Sequence, residues 1–535
     1  MPTRAAPWLL AILGGVLYFE GFIGHGHYTL SWICLAPALV AVRNVSPRRA
    51  LGIGTLFGFV THLGGYSWIV HLLMEFAGAP WAVAFLGYVA LCAAQGFQLA
   101  VFVWLSRLIA LRTGRPIGWI APFVFVAVEA FYPMLFPSYL ANSQLPFPLA
   151  TQILDLGGPL LLGFVMALVS GAVADLLISR LDRRSHSYGL PLTATIAFAL
   201  TLAYGAWAMP RWTALEAAAP KLRIGIAQSN VGAADNHLRW DESWHRNQRL
   251  SRQLATVGAE LVVWGEGGYM GWVRTSEKRL PQIPGADAAV LTGISRYNIL
   301  SSGQREDFNG AALIDKSGDV LGAYDKIDLL AFGEYIPLGE TFPLLYKLAG
   351  PYGSHFTRGH SVAPITFGRF RVGAFICFED ILPSRVRAIA QGAPHVLVNV
   401  TNDSWYGRGA EQEIHLALAA FRSIEQRRWL VRSTNTGISA FVDAEGRIVE
   451  QSGRDMEAAL VRDVPMLEGG TIYLALGDWV GWLCAGACAV ELLRTRRTKR
   501  EATTLPPSKK QTRSNLGHEP PPHKPPPIDA TGNQG

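Results

Sequence analysis

The sequence predicts a bundle of about eight membrane helices with an α/β domain inserted before the last of them. Three observations predict it. Half of the 535 residues are hydrophobic and only 16% are charged, where a soluble chain carries about 25%. The apolar residues crowd into the first 210 positions and again near 472–493. The stretch between them has ordinary polarity and alternates short strand-like and helix-like patterns.

A bilayer core takes about 20 apolar residues per helix. Seven such runs precede the polar region, near 7–24, 28–43, 51–74, 80–106, 117–137, 157–179 and 189–209, and an eighth lies near 472–493. The run at 28–43 is the shortest. More spans follow the first run and no small-residue cleavage site stands out, so it does not read as a removable signal.

A net charge of +7 points at first to nucleic acid. The positions of the basic residues argue against that partner. Arg43, Arg48 and Arg49 follow one apolar run, Arg107, Arg112 and Arg115 another, and Arg180, Arg183 and Arg184 a third. Arg494, Arg496, Arg497, Lys499 and Arg500 follow the last. Seven crossings from a cytoplasmic Arg4 place 211–470 outside and every cluster inside, whereas the outer loops 25–27, 75–79 and 138–156 hold no Lys or Arg. The predicted division is a membrane part at 1–210, an outer domain at 211–470, a last span at 471–494 and a tail at 495–535. Rich in Pro, Lys and Ser, that tail cannot bury a core and is expected to be disordered in the cytoplasm.

Within the outer domain, 222–228 alternates like a half-buried strand and 261–264 reads as a fully buried one. Residues 313–324 are expected to form a hairpin across Lys316-Ser317-Gly318-Asp319, and 439–449 another across Asp443-Ala444-Glu445-Gly446. Segments 372–376 and 395–400 read as buried strands, and 411–428 carries apolar residues at helical spacing. Strands and helices mixed over about 250 residues predict one layered α/β domain.

Four of the five cysteines fall in apolar runs, leaving Cys377 alone in the outer domain. A lone thiol there is either packed core or a nucleophile. It ends the strand-like run Val372-Gly373-Ala374-Phe375-Ile376, a position that presents a side chain to a cleft. Two charged residues occupy comparable positions: Glu266 after Leu261-Val262-Val263-Trp264-Gly265, and Lys326 after the first hairpin. Singly, each has an ordinary reading as a cap, a surface pair or a core thiol. His25 and His27 lack a carboxylate partner, no Cys-x-x-Cys pair exists, and neither metal nor cofactor is expected. Glu20, Glu129 and Asp175 lie inside apolar runs without a pattern that assigns them work.

Taken together, Trp264-Gly265-Glu266, Tyr324-Asp325-Lys326 and Ile376-Cys377-Phe378-Glu379 resemble the Glu-Lys-Cys triad of the carbon–nitrogen hydrolase (nitrilase) superfamily. Phe332-Gly333-Glu334-Tyr335-Ile336-Pro337 is similar to the segment that follows that lysine. With seven spans before and one after, nearly the whole chain resembles the apolipoprotein N-acyltransferase family; 399–405 and 432–437 match its later segments. Two departures stand out: Gly265 where the family carries proline, and Phe378 where tyrosine is common.

The resemblance implies an αββα sandwich on the periplasmic side of a multi-pass inner-membrane protein. It implies a phospholipid acyl donor, a lipoprotein acceptor bearing a diacylglyceryl-cysteine amine, and a thioester on Cys377. Glu266 would act as general base, and Lys326 with the Phe378 N–H would hold the oxyanion. Glu334 would hold Lys326, and Glu379 and Trp240 would line the site. The apolar segment 342–349, with Phe342, Leu344, Leu345 and Tyr346, reads either as a lid dipping into the outer leaflet or as ordinary core. A membrane-tethered amidase using water, or a silent lipid-binding scaffold, are the competing functions.

Overall fold

The computed structural model describes residues 5–185, 187–283, 287–331, 333–336, 339, 341, 342, 344, 355–407 and 409–504. Leu345, Tyr346 and the proline-rich part of the tail lie outside them.

The N-terminal part is helical: α1 (Ala6–Glu20), α2 (Ala36–Ala41), α3 (Pro47–Gly65), α4 (Ile69–Ala77), α5 (Trp81–Thr113), α6 (Ile117–Phe131), α7 (Pro148–Thr151), α8 (Leu154–Leu181) and α9 (Gly189–Ala218). Among the described residues, α5, α8 and α9 are long and apolar enough to cross a membrane, and α3 with the start of α4 makes a fourth candidate bent by 57°. Helix lengths therefore give three or four crossings where eight were expected. The local reasons are visible. The run at 28–43 opens as a 3₁₀ turn, Tyr28–Trp32, and only then becomes the six-residue α2. The run at 51–74 breaks at Tyr66-Ser67-Trp68. The last run is two pieces, a five-residue helix and a longer one that begins at Trp479 and turns basic after 493. Helix α9 also continues beyond the expected boundary at 210 to Ala218, close to the first strand.

Close helix packing rests on glycine. A Cβ on Gly58 of α3 would meet the Gly96 carbonyl of α5 at 1.9 Å, so the two backbones touch directly.

Among the described residues thirteen strands follow: β1 (Lys221–Gln228), β2 (Leu261–Trp264), β3 (Trp272–Arg274), β4 (Ala289–Ile299), β5 (Arg305–Ile314), β6 (Val320–Asp325), β7 (Ile365–Phe367), β8 (Phe370–Ile376), β9 (Val396–Thr401), β10 (Trp429–Thr434), β11 (Ala440–Val442), β12 (Ile448–Gln451) and β13 (Ala458–Pro465). They form two sheets, ordered β13-β1-β2-β4-β5-β6 with β3 beside β4, and β12-β11-β10-β9-β8-β7. Helix α10 (Ala233–Thr256) covers the first sheet; α11 (Pro383–Ala390) and α12 (Glu411–Gln426) cover the second. Two short and long helices, α13 (Ile472–Leu476) and α14 (Trp479–Thr504), end the described chain.

Side-chain alternation explains this layering. Leu261 and Val263 of β2 enter the core between the sheets, whereas Val262 and Trp264 pack beneath α10 with Leu250 and Leu254. A strand buried on both faces loses the polar half of its pattern, which is why 261–264 is uniformly apolar. Strands β1, β2 and β4 run parallel, as do β8, β9 and β10. The C-terminal ends of β2 and β9 meet where the Glu266 N–H donates to Thr401 O, and those of β1 and β10 meet where Thr434 Oγ1 donates to Gln228 Oε1.

The α/β domain is tied to the helices by a buried clasp. Arg427, just after α12 at φ 49°, is fully buried; its Nη2 is 2.7 Å from Asp155 Oδ2 of α8 and its Nη1 donates to Gln152 at 2.7 Å. Trp68 at the break before α4 packs edge-on against Tyr406, with ring centres 5.2 Å apart.

Candidate active site

Three strand ends carry the polar groups of one cleft. Glu266 follows β2 by two residues, and its backbone N–H donates to Thr401 O at 3.2 Å, fixing it against the second sheet. Lys326 follows β6; its N–H donates to Asn309 O at 2.8 Å. Cys377 directly follows β8 at φ 49°, a left-handed conformation costly for a residue with a Cβ, and opens the 3₁₀ turn Cys377–Ile381. Such a turn lifts the thiol off the strand and presents it to the cleft. Glu266, Lys326, Glu334 and Cys377 line it together with Trp240, Asn309, Asn402, Trp405 and Tyr406. Leu72, from α4, lines it too, so the helical part supplies one wall.

The charges are arranged as a chain. Lys326, 2% exposed, pairs with Glu334 at 2.8 and 3.0 Å. The Asn309 amide donates to Glu266 Oε1 at 2.7 Å and to Glu334 Oε1 at 2.8 Å. Glu334 Oε2 accepts the Leu330 N–H at 2.8 Å. Burial opposes the Lys326 charge, but Glu334, Cys377 and Glu266 outweigh it and hold the ammonium well above its ordinary range. Burial raises the Glu266 carboxyl, with Lys326 opposing and Glu334 adding to the rise. Burial and the Glu266 charge push the Cys377 thiol up, with Lys326 again opposing. At rest the sulfur therefore holds its proton, next to a carboxylate suited to take it.

Glu379 lies outside this cleft. It is wholly buried: Oε1 accepts from Tyr324 Oη at 2.7 Å, Ile327 N at 2.8 Å and Asp328 N at 3.0 Å, and Oε2 accepts from Ile376 N at 2.9 Å. One carboxylate thus ties the loop carrying Lys326 to the strand carrying Cys377. Its expected lining role is corrected to this anchoring one. Phe378 also turns away from the cleft; its ring meets Phe136 edge-on at 6.1 Å in a second, apolar pocket shared with α1 and α3. Gly265 has a steric reason. A Cβ there would lie 2.3 Å from Asn435 Oδ1 and 2.5 Å from Asn435 N. Asn435 Nδ2 donates to the Glu266 carbonyl, so the close approach holds Glu266 in place.

Of the four residues expected to meet substrate, Phe342 and Leu344 are 56% and 64% exposed and belong to no core cluster; Leu345 and Tyr346 lie outside the described residues. Nothing in the sequence singles out Asn309, Leu72 or Tyr406, whose place in the cleft depends on pairings across sheets and helices. No group of three or more His, Cys, Asp or Glu side chains suited to a metal occurs among the described residues.

Comparison with known proteins meets this geometry from the outside. Residues 14–172 match the apolipoprotein N-acyltransferase N-terminal domain and residues 223–470 match the carbon–nitrogen hydrolase domain. The apolipoprotein N-acyltransferase of Geobacter metallireducens is 30% identical over 508 residues, covering 92% of this chain and 95% of that protein. The chain belongs to the apolipoprotein N-acyltransferase family. The Azotobacter vinelandii member of the family is 31% identical, covering 92% and 96%. Among solved structures, a carbon–nitrogen hydrolase from Helicobacter pylori is 14% identical over 45% of this chain and 88% of that one, at a TM-score of 0.33. An amidase variant from Nesterenkonia is 17% identical over 54% and 99%, also at 0.33. The family makes the chain a membrane protein and an enzyme, an acyltransferase acting in lipoprotein biosynthesis.

Proposed function

We propose that this protein moves a fatty acyl chain from a membrane phospholipid to the α-amine of an S-diacylglyceryl-cysteine that begins a lipoprotein, through a thioester on Cys377. The observation that carries this reading is the meeting of Cys377, Glu266 and Lys326 in one cleft, with Leu72 of the helical part forming a wall. A substrate held in the bilayer needs such a shared boundary.

In the first half-reaction Glu266 takes the thiol proton as the sulfur attacks the ester carbonyl. The oxygen that becomes negative is held by the Lys326 ammonium and the Phe378 N–H; one such donor is typically worth about 3–4 kcal/mol. Collapse expels the lysophospholipid alkoxide, which recovers the proton from Glu266, and leaves the acyl group on sulfur. In the second half-reaction Glu266 removes a proton from the acceptor amine as nitrogen attacks the thioester. Sulfur leaves as it takes that proton back from Glu266, which restores the thiol and the carboxylate, and an amide remains. Lys326 is a fixed cation here rather than a base, because Glu334 keeps it protonated.

Phe342 and Leu344 are exposed, which argues against core packing at those two positions; the rest of 342–349 lies outside the described residues. The path of the chain is read as eight passes, with α1, the 28–41 stretch, α6 and the apolar part of α14 as short crossings that neighbouring helices and a thinned bilayer accommodate. The arginine clusters then lie in the cytoplasm and the α/β domain on the periplasmic face of the inner membrane.

The test is conversion of a diacylglyceryl-cysteine peptide to its triacylated form by the purified chain in phospholipid vesicles. Release of free fatty acid without peptide acylation would instead support an amidase-like hydrolase.

A further inference from the structure

Beneath the turn that carries Cys377 lies an ionic cluster that no step above uses. Asp380 belongs to that turn. His415 of α12 sits between two carboxylates: Nε2 is 2.6 Å from Asp380 Oδ1, and Nδ1 is 2.8 Å from Asp403 Oδ1. Arg432 of β10 forks onto Asp403 at 3.0 and 3.1 Å, its Nη2 lies 2.9 Å from His415 Nδ1, and its Nε is 3.6 Å from Asp380 Oδ2. His415 is 2% exposed and the other three are fully buried.

A neutral ring with its proton on Nε2 could accept from Arg432 Nη2 at Nδ1, but its lone pair would also face Asp403 Oδ1 at 2.8 Å and two buried anions would be left against one cation. An imidazolium donates to both carboxylates, and two cations then balance two anions in this buried cluster. Arg432 and His415 tolerate each other because both donate to Asp403.

Asp403 is joined directly to Asn402, and the 3₁₀ turn Ser404–Tyr406 follows it; Asn402, Trp405 and Tyr406 line the cleft. The ring therefore bridges the nucleophile turn on one side and the opposite cleft wall on the other. We propose that His415 is a positioning residue for acyl transfer, a doubly protonated clamp that fixes the Cys377 turn against the 402–406 loop. This rests on Cys377 being the acylated nucleophile.

The groups facing the ring are Asp380 from the nucleophile turn, Asp403 and Tyr406 from the loop, Arg432 from β10 and Glu411 from its own helix; His62 and Tyr66 of the helical part line the adjoining pocket. Burial opposes protonation, Asp380 and Asp403 favour it and Arg432 opposes it, and the balance pushes His415 up to about 9. Burial raises Glu411 to about 8, so it is largely neutral at neutral pH. A raised histidine makes the clamp complete at lower pH and removes it as pH rises through that value.

The experiment follows acyl-adduct formation on Cys377 by mass spectrometry in phosphatidylethanolamine vesicles between pH 6 and 10, without acceptor. His415→Gln keeps the size of the side chain but leaves one carboxylate without a donor. It is expected to slow the wild-type rate about tenfold or more, and to lose the decline near pH 9 that wild type shows. Adding Asp380→Asn to that variant removes the stranded charge and restores most of the rate, which a purely space-filling role would not do. A His415→Gln rate within about twofold of wild type, with the same decline, overturns the proposal. The ring is also read without acyl chemistry. In ¹⁵N-histidine spectra, the resonances lost in His415→Gln should have imidazolium shifts at pH 7. Neutral-ring shifts there overturn the clamp, whereas wild type forming no adduct with an imidazolium present overturns only the thioester reading.

Discussion

Asn309 and Glu266 meet through one hydrogen bond, Nδ2 to Oε1 at 2.7 Å, and the same nitrogen reaches Glu334 Oε1 at 2.8 Å. An amide has two N–H groups, so both contacts are satisfied at once. A neutral donor between two carboxylates lets Glu266 face the thiol while Glu334 faces the lysine. Asn309→Leu removes both bonds and is expected to slow adduct formation by roughly ten- to a hundredfold, the effect of about 1–3 kcal/mol. Single-turnover rates with phospholipid would check it.

The same bond sets a pH limb. Burial raises Glu266, and the Asn309 bond and Lys326 oppose the rise by favouring the ionised form. The base must be ionised, so activity falls as pH drops through a value above the ordinary carboxylate range near 4.3. Asn309→Leu removes one of the opposing effects and should move that acid limb to higher pH. A pH–rate profile of the first half-reaction reads the shift directly; a limb moved downward would contradict the assignment.

Gly265 is expected to resist conversion to proline. Any substituent at its Cβ runs into Asn435, 2.3 Å away, and would displace the amide that holds the Glu266 carbonyl. Gly265→Pro should therefore lower activity at least about tenfold, with a smaller effect on thermal stability. Activity assays beside a melting curve separate the two.

Glu379 accepts four hydrogen bonds, three of them from backbone N–H groups. Glu379→Ala strands these donors in a closed space, at about 1–3 kcal/mol each. Loss of folded protein is the expected result, measured by yield and by melting temperature in detergent. Glu379→Gln keeps its size and some acceptors and should be the milder change.

Much of this was legible in the sequence, and the limits have physical causes. The strand ends at Glu266, Lys326 and Cys377 were readable because each follows a run whose apolar pattern stops abruptly. The apolar runs were readable too, but their breaks were not: the bend at Tyr66-Ser67-Trp68 and the 3₁₀ turn at Tyr28–Trp32 sit in segments as apolar as a continuous helix. The family resemblance implies a lining role for Glu379, and the sequence by itself gives it none. Its side chain instead satisfies donors 51–55 residues away in the chain, which only the fold reveals. Asn309 and His415 carry no local signal, since their partners come from other strands and helices.

The most direct measurement is the mass of the Cys377 peptide after incubation of the purified chain with phospholipid and no acceptor. The account predicts a gain of one fatty acyl group, removable by hydroxylamine, absent in Cys377→Ala and transferred when a diacylglyceryl-cysteine peptide is added. An unmodified Cys377 in protein that still makes triacylated peptide would contradict it.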